Sequence, residues 1–170
     1  LTARPARFCV DGAKLAQPML LMVDRLTGYW PEGGERGLGR IRGEKDVDPG
    51  EWFFNAHFYQ DPVQPGSLGI EALLQLLQCM MIQKGLDQGF KAPRFEAIAL
   101  DKSLNWKYRG QVLPWNKTIS SSLELVEVGQ DEQGVYAIAD ASLWVDGMRI
   151  YSATNLAMRI VEGEATGPFD

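Results

Sequence analysis

Apolar and polar positions fall into short β-like runs, interrupted once by a long apolar block. Leu20 to Tyr29 is apolar and β-prone, and Pro31-Glu32-Gly33-Gly34 ends it with turn chemistry. Gly37 to Val47 alternates imperfectly and predicts a second strand. Asp48-Pro49-Gly50 turns the chain, and an aromatic cluster follows from Trp52-Phe53-Phe54 to His57-Phe58-Tyr59. Ser67 to Lys84 lacks Pro and is dense in Leu, Ile, Ala, Met and Gln. It predicts one helix of about 18 residues, about 27 Å long, stopped by Gly85. Phe95 to Trp106, Lys117 to Val128, Val135 to Val145 and Met148 to Ile160 predict four more strands. Asp146-Gly147 marks a hairpin between the last two. Residues 1–18, with Pro5, Gly12 and Pro18, predict an irregular segment holding one short helical turn. Two strands, one helix and four strands make an α+β architecture, an antiparallel sheet wrapped on a helix.

Composition narrows the function classes. The 170 residues suit one domain spanning the whole chain, and 45% hydrophobic with 23% charged residues is ordinary for a globular protein. A net charge of -5 argues against a dedicated nucleic-acid binder and permits a small-molecule site. Cys9, Cys79 and the single histidine, His57, are too few and too widely spaced for a zinc site. Two cysteines do not make a disulfide scaffold at this size. No apolar run approaches the ~20 residues of a membrane helix. No secretory signal pattern is visible, so a cytoplasmic location is expected. The chain starts at Leu1, which reads as a domain cut from a longer protein.

The long helix is apolar nearly all round, through Leu68, Ile70, Leu73, Leu74, Leu76, Leu77, Met80 and Met81, and so reads as a buried core helix. Glu71, Gln75 and Gln78 interrupt it at i, i+4 and i+7, as one stripe. A buried carboxylate needs a hydrogen-bond partner, and Gln75 is spaced to supply one to Glu71. Periodicity leaves a second reading open, in which the stripe faces water or a partner protomer. A lone histidine is more often a packing or surface residue than a catalyst. The aromatic neighbours of His57 would give it an apolar setting that keeps a neutral imidazole available near pH 7. Pro62 and Pro65 stiffen the next loop. Gly66 lets a substrate approach the backbone at the helix start, where amides can bind a developing oxyanion.

The segment Trp52-Phe53-Phe54-Asn55-Ala56-His57-Phe58-Tyr59-Gln60-Asp61-Pro62-Val63-Gln64-Pro65-Gly66-Ser67-Leu68-Gly69-Ile70-Glu71 resembles the active-site segment of the β-hydroxydecanoyl-acyl-carrier-protein dehydratase family, most specifically from His57 to Glu71. In that family a His pairs with an acidic residue fourteen positions later, through an H-F-x-x-D-P-V-x-P-G-x-L-G pattern. Pro18 to Arg25, Gly110-Gln111-Val112-Leu113-Pro114 and Val145-Asp146-Gly147 also resemble family positions. Gly28 to Gly34 and Gly43 to Trp52 look most like the dehydratase domains of polyunsaturated fatty acid synthases.

The resemblance implies the hotdog fold and the dehydration of 3-hydroxyacyl thioesters to 2-enoyl thioesters. It implies His57 as the base for the C2 proton and Glu71 as the acid for the C3 hydroxyl. The Gly66 N–H would polarise the thioester carbonyl, the Val63 carbonyl would hold the other nitrogen of His57, and Gln75 would orient Glu71. No cofactor is implied beyond the phosphopantetheine arm of an acyl carrier protein that brings the substrate. Because the family's His and acid come from two hotdog units, a homodimer or a second hotdog domain of the same synthase is the implied partner. Relatives that also isomerise the double bond usually carry Asp where this chain has Glu71, so dehydration is expected and isomerisation stays open.

Two other functions fit the same fold: an acyl thioesterase, and a non-catalytic half of a double hotdog. Weaker signals add little. Gly66-Ser67-Leu68-Gly69 has Pro65 where a nucleophile elbow needs Gly. Asn116-Lys117-Thr118 is a sequon without a secretory signal. Lys102, Lys107 and Arg109 read as solvated charge or as a dock for an acidic carrier protein.

Overall fold

The computed structural model describes residues 13–16, 18–99 and 101–163. Cys9 and most of the irregular segment expected over residues 1–18 lie outside them. The elements are β1 (Arg25–Trp30), β2 (Arg40–Asp46), α1 (Trp52–Ala56), α2 (Gly66–Gln83), β3 (Pro93–Phe95), β4 (Asn105–Tyr108), β5 (Thr118–Gln130), β6 (Val135–Val145) and β7 (Met148–Glu162). The strands form one antiparallel seven-stranded sheet in the order β1-β2-β5-β6-β7-β3, with β4 also on β7. The α+β reading therefore holds, with α2 packed against β2, β5, β6 and β7.

The core follows from complementary sizes. Leu73, Leu76, Leu77, Met80 and Met81 of α2 are fully buried. They meet a sheet face on which β6 offers only Ala137, Ala139 and Ala141 between larger residues. Small residues on the sheet let the helix approach, and its long side chains fill the gaps. Gly43 works similarly, because a Cβ there would press on Val23 and Leu76. Gly85 closes α2 as expected: at φ +71 it donates to Ile82, while the Leu86 amide reaches Met81. Asp146 and Gly147 both take positive φ, the geometry of the hairpin turn predicted for them. Half-buried Cys79 packs against the core as a small hydrophobe, and burial pushes its thiol up to about 12.

Three expectations need correction. The strand expected from Leu20 begins only at Arg25, because Pro18–Leu20 is a 3-10 turn and the backbone groups of Leu20 and Met22 bond a side chain of α2. The aromatic cluster opens with a short helix, α1, which buries Phe53 and Phe54. The single strand expected over Phe95 to Trp106 is two strands in tandem along β7. Between them β7 kinks at Asn155, where φ is 57 and the register shifts against β6.

Arg159 on β7 is 1% exposed and answers to three carboxylates: Glu96 at 3.1 Å, Asp101 at 3.0 Å and Asp131 at 2.8 Å. The Arg159 hydrogen bond holds Asp101 below the usual carboxylate range. Arg159→Met should lower stability by about 2–3 kcal/mol, less than a fully buried triad would lose because the carboxylates still reach water. Since the folded value of Asp101 lies below its ordinary 3.8, its stabilisation is complete above that pH and is lost as pH falls through the folded value. Thermal melts of parent and variant should therefore converge on acidification; a gap unchanged down to pH 2 would contradict this.

Candidate active site

His57 follows α1 directly, and buried Phe53 and Phe54 anchor that helix in the core. Lys45 steadies its start. It is 7% exposed, lies 2.8 Å from Glu51 and reaches Asp24 at 3.5 Å. Burial pulls its pKa down, but the Glu51 bond and the Asp24 charge outweigh that and leave it raised. The loop after His57 closes on itself. The Val63 amide donates to the His57 carbonyl at 2.9 Å, and His57 Nδ1 lies 3.0 Å from the Val63 carbonyl oxygen. A carbonyl can only accept, so Nδ1 carries a hydrogen, and in the neutral ring the lone pair is then on Nε2. The Gln64 amide bonds the Val112 carbonyl at 2.9 Å and ties the loop to the segment after β4.

The apolar setting expected for His57 is only partly present. Phe58 stacks on its ring at 3.9 Å between centroids, but Phe53 and Phe54 turn into the core, while Trp52 and Tyr59 are exposed. The helix α1 divides the cluster, because consecutive residues on a helix point in different directions.

Glu71 sits half-buried in the second turn of α2. Gln75 Nε2 donates to Glu71 Oε1 at 2.7 Å and to the Leu20 carbonyl at 2.8 Å, while its Oε1 accepts from the Met22 amide at 2.7 Å. The backbone partners leave one orientation for the amide, so Glu71 Oε1 must be an acceptor and a proton on Glu71 belongs on Oε2. With Gln75 fully buried, the polar stripe is an internal device at that position. A water-facing stripe is excluded at Gln75, whereas Glu71 and Gln78 are half-buried. Trp52 Nε1 donates to the Met19 carbonyl at 3.0 Å and holds the same turn over α2.

Gly66 begins α2 after Pro65, with no side-chain cap on the helix. The Leu68 amide bonds the Pro65 carbonyl at 3.0 Å, which leaves the amides of Gly66 and Ser67 without an intrahelical partner. The structure therefore joins His57 to Val63 and Glu71 to Gln75. Among the described residues, no hydrogen bond or ion pair joins His57 to Glu71 within the chain. Ser67 is exposed at the helix start, with no base bonded to it among the described residues. Asn116 is a turn residue, accepting from the Leu113 amide and donating to Asp146. Lys102 lies against Asp101 and over the Tyr136 ring, at the Arg159 end of the sheet, whereas Lys107 and Arg109 belong to β4 and its exit.

The residues around Gly66 were not anticipated. Tyr151 donates to the Gly66 carbonyl at 3.1 Å and covers Gly69, where any Cβ would overlap its ring. Gly69 was the available signal, since glycine inside a helix costs about 1 kcal/mol against alanine unless something approaches closely.

Residues 15–154 match the family described as the FabA-like domain. The chain belongs to the FabA-like family. This FabA-like chain is 37% identical over 142 residues to one component of the polyunsaturated fatty acid synthase of Thraustochytrium sp.. The match covers 84% of the chain but 9% of that component, so the chain spans under a tenth of the curated relative. Among solved structures, the ApeI:P dehydratase heterocomplex of Xenorhabdus doucetiae superposes with TM-score 0.57 at 9% identity, covering 88% of each chain. A mutant thioesterase of Pseudomonas aeruginosa superposes with TM-score 0.52 at 13% identity, over 81% of this chain and 80% of that one. These two likenesses bear on the fold, which is the hotdog, and not on the reaction. Among the described residues no helix is long and apolar enough to cross a membrane.

Proposed function

We propose that this domain removes water from 3-hydroxyacyl thioesters carried on an acyl carrier protein, giving 2-enoyl thioesters during the synthesis of unsaturated fatty acids. The observation that carries this reading is the bond between His57 Nδ1 and the Val63 carbonyl, which leaves Nε2 as a base. His57 takes the C2 proton. The Gly66 N–H polarises the thioester carbonyl as negative charge builds there. Glu71 Oε2 gives its proton to the C3 hydroxyl, because hydroxide is a poor leaving group. The C2–H and C3–O bonds break, the C2–C3 double bond forms, and water departs. The side chains suffice for this chemistry, and the phosphopantetheine arm only delivers the substrate.

A second hotdog unit completes the site, either another copy of this chain or a neighbouring domain of the same synthase. Two observations support it: no bond joins His57 to Glu71 among the described residues, and exposed apolar residues frame their segment. Met19, Trp52, Phe58, Tyr59, Trp106 and Tyr108 are all more than a third exposed. A rim of that kind marks an interaction surface.

The reading is tested with a 2-enoyl thioester, run in the hydration direction. Its ultraviolet absorbance should fall while no free thiol appears. Thiol release without hydration would identify a thioesterase instead, and neither change would fit a non-catalytic half.

A further inference from the structure

Gly66 is an awkward residue to hold still. It has no side chain, it opens a helix whose preceding residue provides no side-chain cap, and helix ends fray. Leu68 N bonds the Pro65 carbonyl at 3.0 Å, but that contact is local. From the sheet, Tyr151 reaches Gly66 with a hydrogen bond across 85 residues of sequence, from its place on β7. Its ring is itself immobilised. It is 2% exposed, lies against Gly69, and packs on Tyr108 at 5.1 Å and Trp106 at 5.4 Å between centroids. Those two rings also stand where a Cβ on Gly66 would reach, at 3.4 Å. Gly66 is thus enclosed by aromatic residues of β4 and β7.

We infer that Tyr151 is a positioning residue for the thioester site, its hydroxyl fixing Gly66 so that the amide at the head of α2 keeps its aim. This rests on the dehydratase reading above. The carbonyl of Gly66 has two lone pairs, so it can accept from Tyr151 as well as from the helix ladder. The bond draws electron density from the Gly66–Ser67 peptide and stiffens the first turn. Burial, with the nearby Tyr108, pushes the Tyr151 phenol well above its ordinary value, so it remains a donor through the working pH range. Gly69 and Tyr151 form a matched pair: the missing Cβ is what lets the ring lie close enough on α2 for its hydroxyl to reach the first turn.

The test is Tyr151→Phe in the 170-residue chain, which keeps the ring and removes the hydroxyl. Dehydration kcat should fall about tenfold, with KM within about twofold, because the aim of a polarising donor matters most as charge develops. The melting temperature should fall by only about 2–4 °C, as suits one lost hydrogen bond in a domain of this size. A saturated acyl thioester with a 13C-labelled carbonyl reports the aim directly. Its infrared band should shift to lower frequency on binding the parent and shift less on binding the variant. A variant with parental kcat, or one whose band shifts as in the parent, overturns the inference. A parent that turns over no 3-hydroxyacyl thioester with its second hotdog unit present overturns the dehydratase reading, and this inference with it.

Discussion

Replacing His57 with alanine should lower kcat/KM for dehydration by about 10³-fold, within the range expected when a general base is removed. The tautomer of His57 sets this expectation. The Val63 carbonyl fixes the hydrogen on Nδ1, so the substrate meets Nε2, and no second histidine exists in the chain to replace it. The fold should survive. The loop stays closed by the Val63 amide on the residue 57 carbonyl, and α1 stays anchored by Phe53 and Phe54. A melting curve close to the parent's, alongside lost turnover, separates catalysis from folding. A variant as active as the parent would remove His57 from the mechanism.

Glu71→Gln should cost about 10²–10³-fold while hardly changing stability. The amide keeps an oxygen to accept from Gln75 Nε2 but has no acidic proton for the leaving hydroxyl. Glu71 also allows the shared-site claim to be tested. His57→Ala and Glu71→Ala proteins are each expected to be nearly inactive. If His57 of one unit works with Glu71 of another, random mixing makes half the dimers mixed, each with one intact site. Roughly a quarter of the sites should then regain activity. Activity that stays at the level of the separate variants would exclude a site shared between two copies of this chain.

Much of this was legible in the sequence because it rests on local chemistry. The α2 stripe follows from the helical period, and the Asp146-Gly147 hairpin from the need for positive φ at both turn positions. The Glu71–Gln75 bond follows from i, i+4 spacing. What escaped depends on contacts between distant parts of the chain. Leu20 to Met22 is apolar enough for a strand, yet Gln75 takes the hydrogen bonds that a strand partner would have made. Phe95 to Trp106 has strand composition, yet a kink in β7 at Asn155 divides its pairing edge. The aromatic cluster gave no sign of which rings would turn away from His57, because α1 sets their directions. Nothing around Tyr151 in the sequence marks it as a partner of Gly69; only the fold sets its ring there.

The most direct measurement is the mass of the acyl group after the domain meets a 3-hydroxyacyl-acyl carrier protein, run over several chain lengths. The account predicts a carrier-bound product lighter by one water, with its double bond at C2–C3, formed by the parent and not by His57→Ala. Recovery of free 3-hydroxy acid and unloaded carrier, or of untouched substrate at every length, would contradict it.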